Sequence, residues 1–300
     1  MYDVIIIGAG VAGLSAAIYA SSRGMKTLIL ESDKPGGVLG KVSVVTHYAG
    51  IVKDETGKSI IQRIINQVEG MGLSICMEEV VEVHLQGEIK KVVTTNGSYE
   101  TKTIIIANGT TPRKLNIPGE EALYKKGVSY NAVEDGNKYK DKEVFVVGGS
   151  DGAVKETLYL ATIASKVTLI HFEDQLGAVR EFTDRLAQNE KITLRLHSRL
   201  KEIKGEEEIY SIFIEDEHTK EVEEIKAKGA GVFIYAGALP NTKMYEDLEK
   251  ENDFIITNET MCTNIPGVFA AGDIRHKMVR QAATAVADGA IATISAKMYL

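Results

Sequence analysis

The sequence predicts an α/β fold of two Rossmann-like dinucleotide-binding domains, each in three layers (ββα), with the second inserted into the first. Three observations predict it. Residues 3–32, "DVIIIGAGVAGLSAAIYASSRGMKTLILES", and residues 143–173, "EVFVVGGSDGAVKETLYLATIASKVTLIHFE", share one plan of β-branched strand, glycine turn, alanine-rich helix and second strand. Their strands are apolar along their length and joined through a helix, the pattern of a parallel sheet covered on both faces. Shorter strands with turn signals then follow each unit: "VVEVHLQ", "KKVVTTN" and "ETKTIIIANG" after the first, "LKEIKG", "EIYSIFIED" and "KAKGAGVFIYAG" after the second.

The boundaries follow from turn chemistry. "ANGTTPRKLNIPGE" (107–120) places two prolines directly after a buried strand, as a linker leaving the first domain does, and "YAGALPNT" (235–242) is the matching exit from the second. The remaining C-terminal segment ends in a helical pattern too short to fold alone, so it is expected to return to the first domain. The expected division is therefore 1–112 with 241–300, and 113–240.

Composition narrows the function classes. A chain of 300 residues that is 44% hydrophobic can bury a sizeable core. A net charge of −7 argues against a nucleic-acid surface spanning the molecule. The start, "MYDVIIIGAGVAGLSAAIYA", mimics a signal peptide but has no basic leader, and its glycines punctuate a strand and a helix. No apolar run reaches the roughly 18 residues a membrane span needs. Cys76 and Cys262 are distant and suit a reducing compartment, so a cytoplasmic protein is expected. No histidines pair at metal-ligand spacing.

The first glycine turn, Gly8-x-Gly10-x-x-Gly13, follows a strand and opens a helix. Gly8 permits the tight turn, Gly10 lets the backbone approach a pyrophosphate, and Gly13 lets helix pack on strand. Glu31 ends the next strand, where a carboxylate binds an adenosine ribose. A lone motif of this kind is weak evidence; here strand, helix and acid agree, and dinucleotide binding is the expectation.

The stretches "IIIGAGVAGLSAAIYA", "GGVLG…HYAG", "ANGTTPRKLNIPGE", "YAGALPNT" and "IPGVFAAGDI…RQAATA" together resemble the thioredoxin reductase family of low-molecular-weight flavoproteins, from residue 2 to residue 300. The resemblance implies FAD between the N-terminal Rossmann unit and the C-terminal segment, and a homodimer. It places Gly37 and His47 at the cofactor, Asp273 on the ribityl chain, and Arg280, Gln281 and Ala282 beside the isoalloxazine. A helix N-terminus aimed at the flavin N1–O2 edge stabilises negative charge on the reduced ring. Without the resemblance, Asp273 reads as a turn or N-cap residue.

Four departures from the family pattern follow. In the second glycine motif, Gly148-Gly149-Ser150-Asp151-Gly152-Ala153, Ser150 replaces the glycine that touches the pyrophosphate. After the next strand, "HFEDQLGA" puts Phe172, Glu173 and Gly177 where the family has the cations that bind the NADPH 2′-phosphate. In "GVSYNAVEDG" (127–136), Asn131 and Glu134 stand at the family's Cys-x-x-Cys positions, while Asp135 and Gly136 are kept. Neither Asn nor Glu can perform dithiol–disulfide exchange. Around the flavin, Val38 replaces a polar amide, and His47 and Ala49 alter an Asn-aromatic-Pro-Gly turn.

The candidate catalytic residues are therefore Glu134 and Asp135, by their place at the family's flavin-facing thiol, and His47, whose imidazole exchanges protons near neutral pH. A lone histidine is more often a hydrogen-bonded structural residue. Lys125, Lys126, Lys138, Lys140 and Lys142, with Arg275, His276 and Lys277, form a basic group on an acidic protein. Such a group suits an acidic electron carrier, ferredoxin or flavodoxin, or is solvated surface. The expected function is an FAD-dependent oxidoreductase that exchanges electrons between flavin and a partner, with neither dithiol nor NADPH. Two alternatives stay open: a non-catalytic FAD-binding sensor or scaffold, and an NADH-dependent flavin reductase or oxidase, since Glu173 suits a ribose 2′-hydroxyl.

Overall fold

The computed structural model describes residues 1–300, folded as two compact units. Unit 1 comprises Met1–Thr111 and Leu239–Leu300; unit 2 is Pro112–Ala238. No helix is long and apolar enough to cross a membrane.

Unit 1 is built on a sheet in the strand order Ile75–Met77, Thr27–Glu31, Tyr2–Ile7, Ser98–Ile106, Lys90–Thr94, Val80–His84, with Val268–Ala270 also paired to Ser98–Ile106. Parallel registers such as Ile5↔Leu28 and Ile5↔Ile104 make Tyr2–Ile7 a central strand. Strand geometry sends alternate side chains to opposite faces, so the run Val4–Ile7 serves two cores. Val4 and Ile6 pack with Ala12, Leu14, Ala16 and Ala292 on the helical face. Ile5 and Ile7 pack with Val92, Tyr245, Leu248 and Ile255 on the other. Ile5, Ile6, Ile104 and Ile105 are fully removed from water, worth about 1.5–3 kcal/mol each before ordering entropy.

Small residues let helix Val11–Ser21 and the C-terminal helix Ala282–Tyr299 approach backbone to backbone. A Cβ on Gly289 would stand 2.1 Å from the Ala12 carbonyl oxygen. Ser15 Oγ donates to the Val286 carbonyl at 2.8 Å, and Thr293 Oγ1 to that of Ala16 at 3.0 Å. These contacts bind the last segment of the chain to the first.

Unit 2 has a parallel sheet in the order Ile192–Arg195, Lys166–Ile170, Glu143–Val147, Gly231–Ile234, Val128–Ser129. Val144, Val146, Leu169 and Phe233 face helices Asp151–Ala161 and Arg180–Ala187 through Val154, Leu160, Phe182 and Leu186. Phe145, Ile170 and Val232 face a three-stranded antiparallel sheet, Ser198–Gly205, Ile209–Asp216 and Val222–Lys226, through Leu200, Ile203, Ile212 and Ile214. Helices, parallel sheet and antiparallel sheet are the three layers. The strand Val222–Lys226 is an addition to the sequence expectation, which has no strand between Asp216 and Lys226.

Candidate functional site

The glycine turn of unit 1 lies at the C-terminal end of the central strand. Gly8 has φ +103°, and a Cβ there would meet the Ala107 carbonyl oxygen at 2.6 Å. Gly13 opens the helix so close to the strand that its Cβ would lie 1.9 Å from Gly8 O. Both glycines are required by the protein itself. Gly10 differs: it is extended (φ −70°, ψ 179°) and a Cβ would meet nothing within 4 Å. No part of the chain demands glycine at that point; a pyrophosphate laid over the helix N-terminus does.

The rest of this cradle is brought to the turn. Glu31 Oε2 accepts from Ala9 N at 2.7 Å and Oε1 from Asp33 N at 3.0 Å, fixing the carboxylate beside the motif. Gly36 N donates to Ala9 O at 2.8 Å, and Gly37, at φ +55°, lies so near that its Cβ would be 3.2 Å from Gly10 Cα. Gly272 brings the C-terminal segment in: its Cβ would lie 2.9 Å from that of Ala12.

Asp273 follows Gly272, and its Oδ1 is buried without a hydrogen-bond donor, 3.3 Å from Lys277 Nζ. Gln281 is the N-cap of the C-terminal helix, which begins at Ala282, and its amide donates to Thr284 Oγ1 at 3.2 Å. The Arg280 guanidinium lies over the Phe254 ring, 4.0 Å from its centroid. Asp288, one helical turn beyond Thr284, is buried and accepts from Gly272 N, Arg275 Nη1 and Lys277 Nζ, each at 3.0 Å. Arg275 and Lys277 are thus drawn inward. The expectation that they belong to an exposed docking surface is corrected: both are turned inward onto the Asp288 carboxylate, and Lys277 also pairs with Asp273. Sequence reasoning passed over Asp288, although an aspartate in an alanine-rich helix was a visible signal.

His47 is exposed in the loop before helix Gly57–Gly70. That loop is tied down by Val45 N to Glu55 O at 2.7 Å, and Glu55 is clamped by Arg63 at 2.8 Å. The Arg63 guanidinium, helped by the Ser59 hydroxyl, holds the Glu55 carboxyl below the usual range.

Unit 2 repeats the turn with different side chains. Gly148 N donates to Ile170 O at 3.0 Å, as Gly8 N does to Leu30 O at 2.8 Å. Ser150 has φ −79° and ψ 172°, nearly the backbone of Gly10, and its exposed side chain fills the space that Gly10 leaves open. His171 stands where unit 1 has Glu31. It is buried with its ring over Gly149, and its Nε2 lies 3.1 Å from Glu173 Oε2. Phe172 is covered by the Arg199 guanidinium at 4.6 Å, and Arg199 is in turn paired with Glu217. Lys220 and Arg199 together hold Glu217 down to about 2. The cation nearest Phe172 is therefore already engaged.

In the segment 127–136, Asn131 caps the short helix Ala132–Asp135. Its Oδ1 accepts from Glu134 N and its Nδ2 donates to Glu134 Oε2, both at 3.2 Å. Ala132 N donates to the Tyr235 hydroxyl at 2.9 Å, and Asp135 accepts from Ser129 Oγ and Lys138 Nζ, each at 2.6 Å. Burial pushes the Asp135 carboxyl up, but the Lys138 and Ser129 hydrogen bonds outweigh it and hold it below its usual range. Glu134 is exposed on this unit. Of the expected basic group, Lys126 pairs with Glu207 at 2.8 Å and Lys138 with Asp135, while Lys140 and Lys142 are exposed. Cys76 donates to Glu78 Oε1 at 3.2 Å; burial, with that carboxylate beside it, pushes the thiol up, away from the reactive thiolate.

A fold of two dinucleotide-binding units, one with an open glycine cradle and a buried acceptor at Asp273, defines a flavoprotein oxidoreductase. The model of the pyridine nucleotide-disulphide oxidoreductase family matches residues 2–289, and the chain belongs to that family. Among curated relatives, thioredoxin reductase of Peptoclostridium acidaminophilum is 40% identical over 306 residues, covering 100% of this chain and 97% of that protein. Among solved structures, Lactococcus lactis thioredoxin reductase (FR conformation) matches with a TM-score of 0.96 and 41% identity, over 100% of this chain and 99% of that one. A ferredoxin-flavin thioredoxin reductase from Clostridium acetobutylicum matches with a TM-score of 0.55 and 30% identity, over 99% and 96%. The cofactor of this family fold is FAD, and the open space at Gly10 fits it.

Proposed function

We propose that the protein is an FAD-dependent oxidoreductase that passes electrons directly between its flavin and an acidic carrier protein of the ferredoxin or flavodoxin kind, without a dithiol or NADPH of its own. The observation that carries this reading is the Asn131–Glu134 hydrogen-bonded pair, a non-covalent link at the two positions where the family has exchangeable thiols. Ser150 in the phosphate turn, and Phe172 and Glu173 in place of cations, support it.

In this reading the amides at the start of helix Val11–Ser21 hold the FAD pyrophosphate and Glu31 the adenosine ribose. Asp273 accepts from the ribityl hydroxyls, and the N-terminus at Gln281 and Ala282 faces the ring. Bound FAD supplies the redox chemistry. Lys140 and Lys142 contribute the exposed charge that a carrier meets. A homodimer in the cytoplasm completes the proposal.

Glu173 favours a second reading, in which NADH is the donor, because a half-exposed carboxylate after a Rossmann strand suits a ribose diol and repels a 2′-phosphate. Anaerobic spectral titration of the FAD-loaded protein with NADPH, NADH and reduced ferredoxin separates the outcomes. Bleaching by ferredoxin alone is expected. Bleaching by NADH would install the second reading, and bleaching by none would leave a flavin that does not turn over.

A further inference from the structure

The ion cluster around Asp288 is costly to bury and poorly explained as a stability device. Ion pairs taken from water barely repay their desolvation, and an apolar replacement of similar volume is often as stable. Here Asp288 and Lys277 have side chains only 9% and 8% exposed, and Arg275 13%. All three are tied to one short stretch of chain. Asp288 binds the amide of Gly272 at its start, Arg275 in its middle and Lys277 further on, and Lys277 Nζ also reaches Thr284 Oγ1 at 3.3 Å in the first turn of the C-terminal helix. Between these anchors sits Asp273, whose buried Oδ1 lacks a hydrogen-bond donor although Lys277 Nζ is 3.3 Å away. The cluster therefore holds the Asp273 carboxylate, paired with Lys277, beside a helix N-terminus.

We infer that Asp288 and Lys277 are positioning residues that hold this loop for FAD and set the charge its ring senses. This rests on the reading that FAD lies against Asp273 and the start of the C-terminal helix. Asp288 and Asp273 supply two negative charges, Arg275 and Lys277 two positive ones, so the ionised cluster is neutral as built. Removing one member leaves a net charge in a medium that screens it weakly. Asp288→Asn leaves an excess cation, which favours the negative charge that reduction places on the ring. Lys277→Met leaves an excess anion, which opposes it.

The test measures the flavin midpoint potential, the rate of FAD release by flavin fluorescence, and apoprotein melting, in wild type, Asp288→Asn, Lys277→Met and the double variant. The expected result is a potential raised in Asp288→Asn, lowered in Lys277→Met and returned towards wild type in the double variant. FAD release should be about tenfold faster in each single variant, since the loop that carries Asp273 loses one of its anchors. Potentials that stay put, or move the same way in both single variants while melting falls, would overturn the inference and leave the cluster structural. If Asp288→Asn does not fold, Lys277→Met is compared with the conservative Lys277→Arg, which should hold the wild-type potential: a lower potential in Lys277→Met supports the inference, and equal potentials overturn it. Wild-type protein that retains no FAD would instead remove the reading beneath it.

Discussion

Gly10 and Ser150 occupy the same point in two copies of one strand–turn–helix unit, with nearly the same backbone: φ −70° and ψ 179° in one, φ −79° and ψ 172° in the other. At neither place does the fold ask for glycine. The residues that the fold does constrain, Gly8 and Gly148, are glycine in both units at φ +103° and +144°. The difference lies where only a ligand would object to a side chain. The same contrast recurs at the next strand end, where Glu31 presents a carboxylate to the turn while His171 lays its ring on Gly149 and turns to Glu173. Unit 2 keeps the strand, tight turn and helix of a Rossmann unit, and differs from unit 1 at two of the points that, under the proposed function, meet the dinucleotide.

The comparison breaks most visibly at Gly13. Gly13→Ala should destabilise unit 1 by about 3 kcal/mol, since the new Cβ meets a backbone oxygen; Ala153 sits at the same point of unit 2 without harm. A denaturant midpoint equal to that of wild type would refute the close approach of helix to strand at Gly13. Gly10→Ser, which copies unit 2 into unit 1, should leave apoprotein stability within about 0.5 kcal/mol. Its FAD affinity should fall about thirtyfold, or about 2 kcal/mol. Denaturant unfolding of the apoprotein checks the first and isothermal titration with FAD the second; unaltered affinity would show that Gly10 does not face the cofactor.

Smaller effects sharpen the reading of unit 2. Lys140→Glu should slow association with reduced ferredoxin several-fold at low salt, and the difference should vanish near 1 M, where the Debye length is about 3 Å. Equal rates in stopped-flow mixing at low salt would make Lys140 a solvated surface charge. Asn131→Cys with Glu134→Cys should restore a disulfide across the capped turn. Thiol titration of the denatured, air-oxidised variant should then count Cys76 and Cys262 only; extra free thiols would mean that this turn holds its two ends too far apart for a bond.

Much of the fold was legible because its signals are local. The continuous apolar strands and the glycine turns at Gly8 and Gly148 follow from residue type alone. The strand Val222–Lys226 was not legible: "VEEIK" is largely exposed on an edge, where charged side chains replace the apolar pattern. Arg275 and Lys277 were misread because charge in a loop implies solvent until its partner is known. Their partner, Asp288, is 13 and 11 residues away and meets them only once the C-terminal helix docks. The Asn131–Glu134 link likewise combines a legible N-cap with a side-chain pairing that depends on rotamers no sequence pattern records.

Under the proposed function, unit 2 does not deliver hydride from NADPH to the flavin. Anaerobic stopped-flow mixing of FAD-loaded protein with sub-millimolar NADPH, followed at the flavin's visible band, tests this most directly. The predicted trace is flat over seconds, with full bleaching on later addition of reduced ferredoxin. A saturable bleaching phase that completes within seconds of NADPH addition would contradict it.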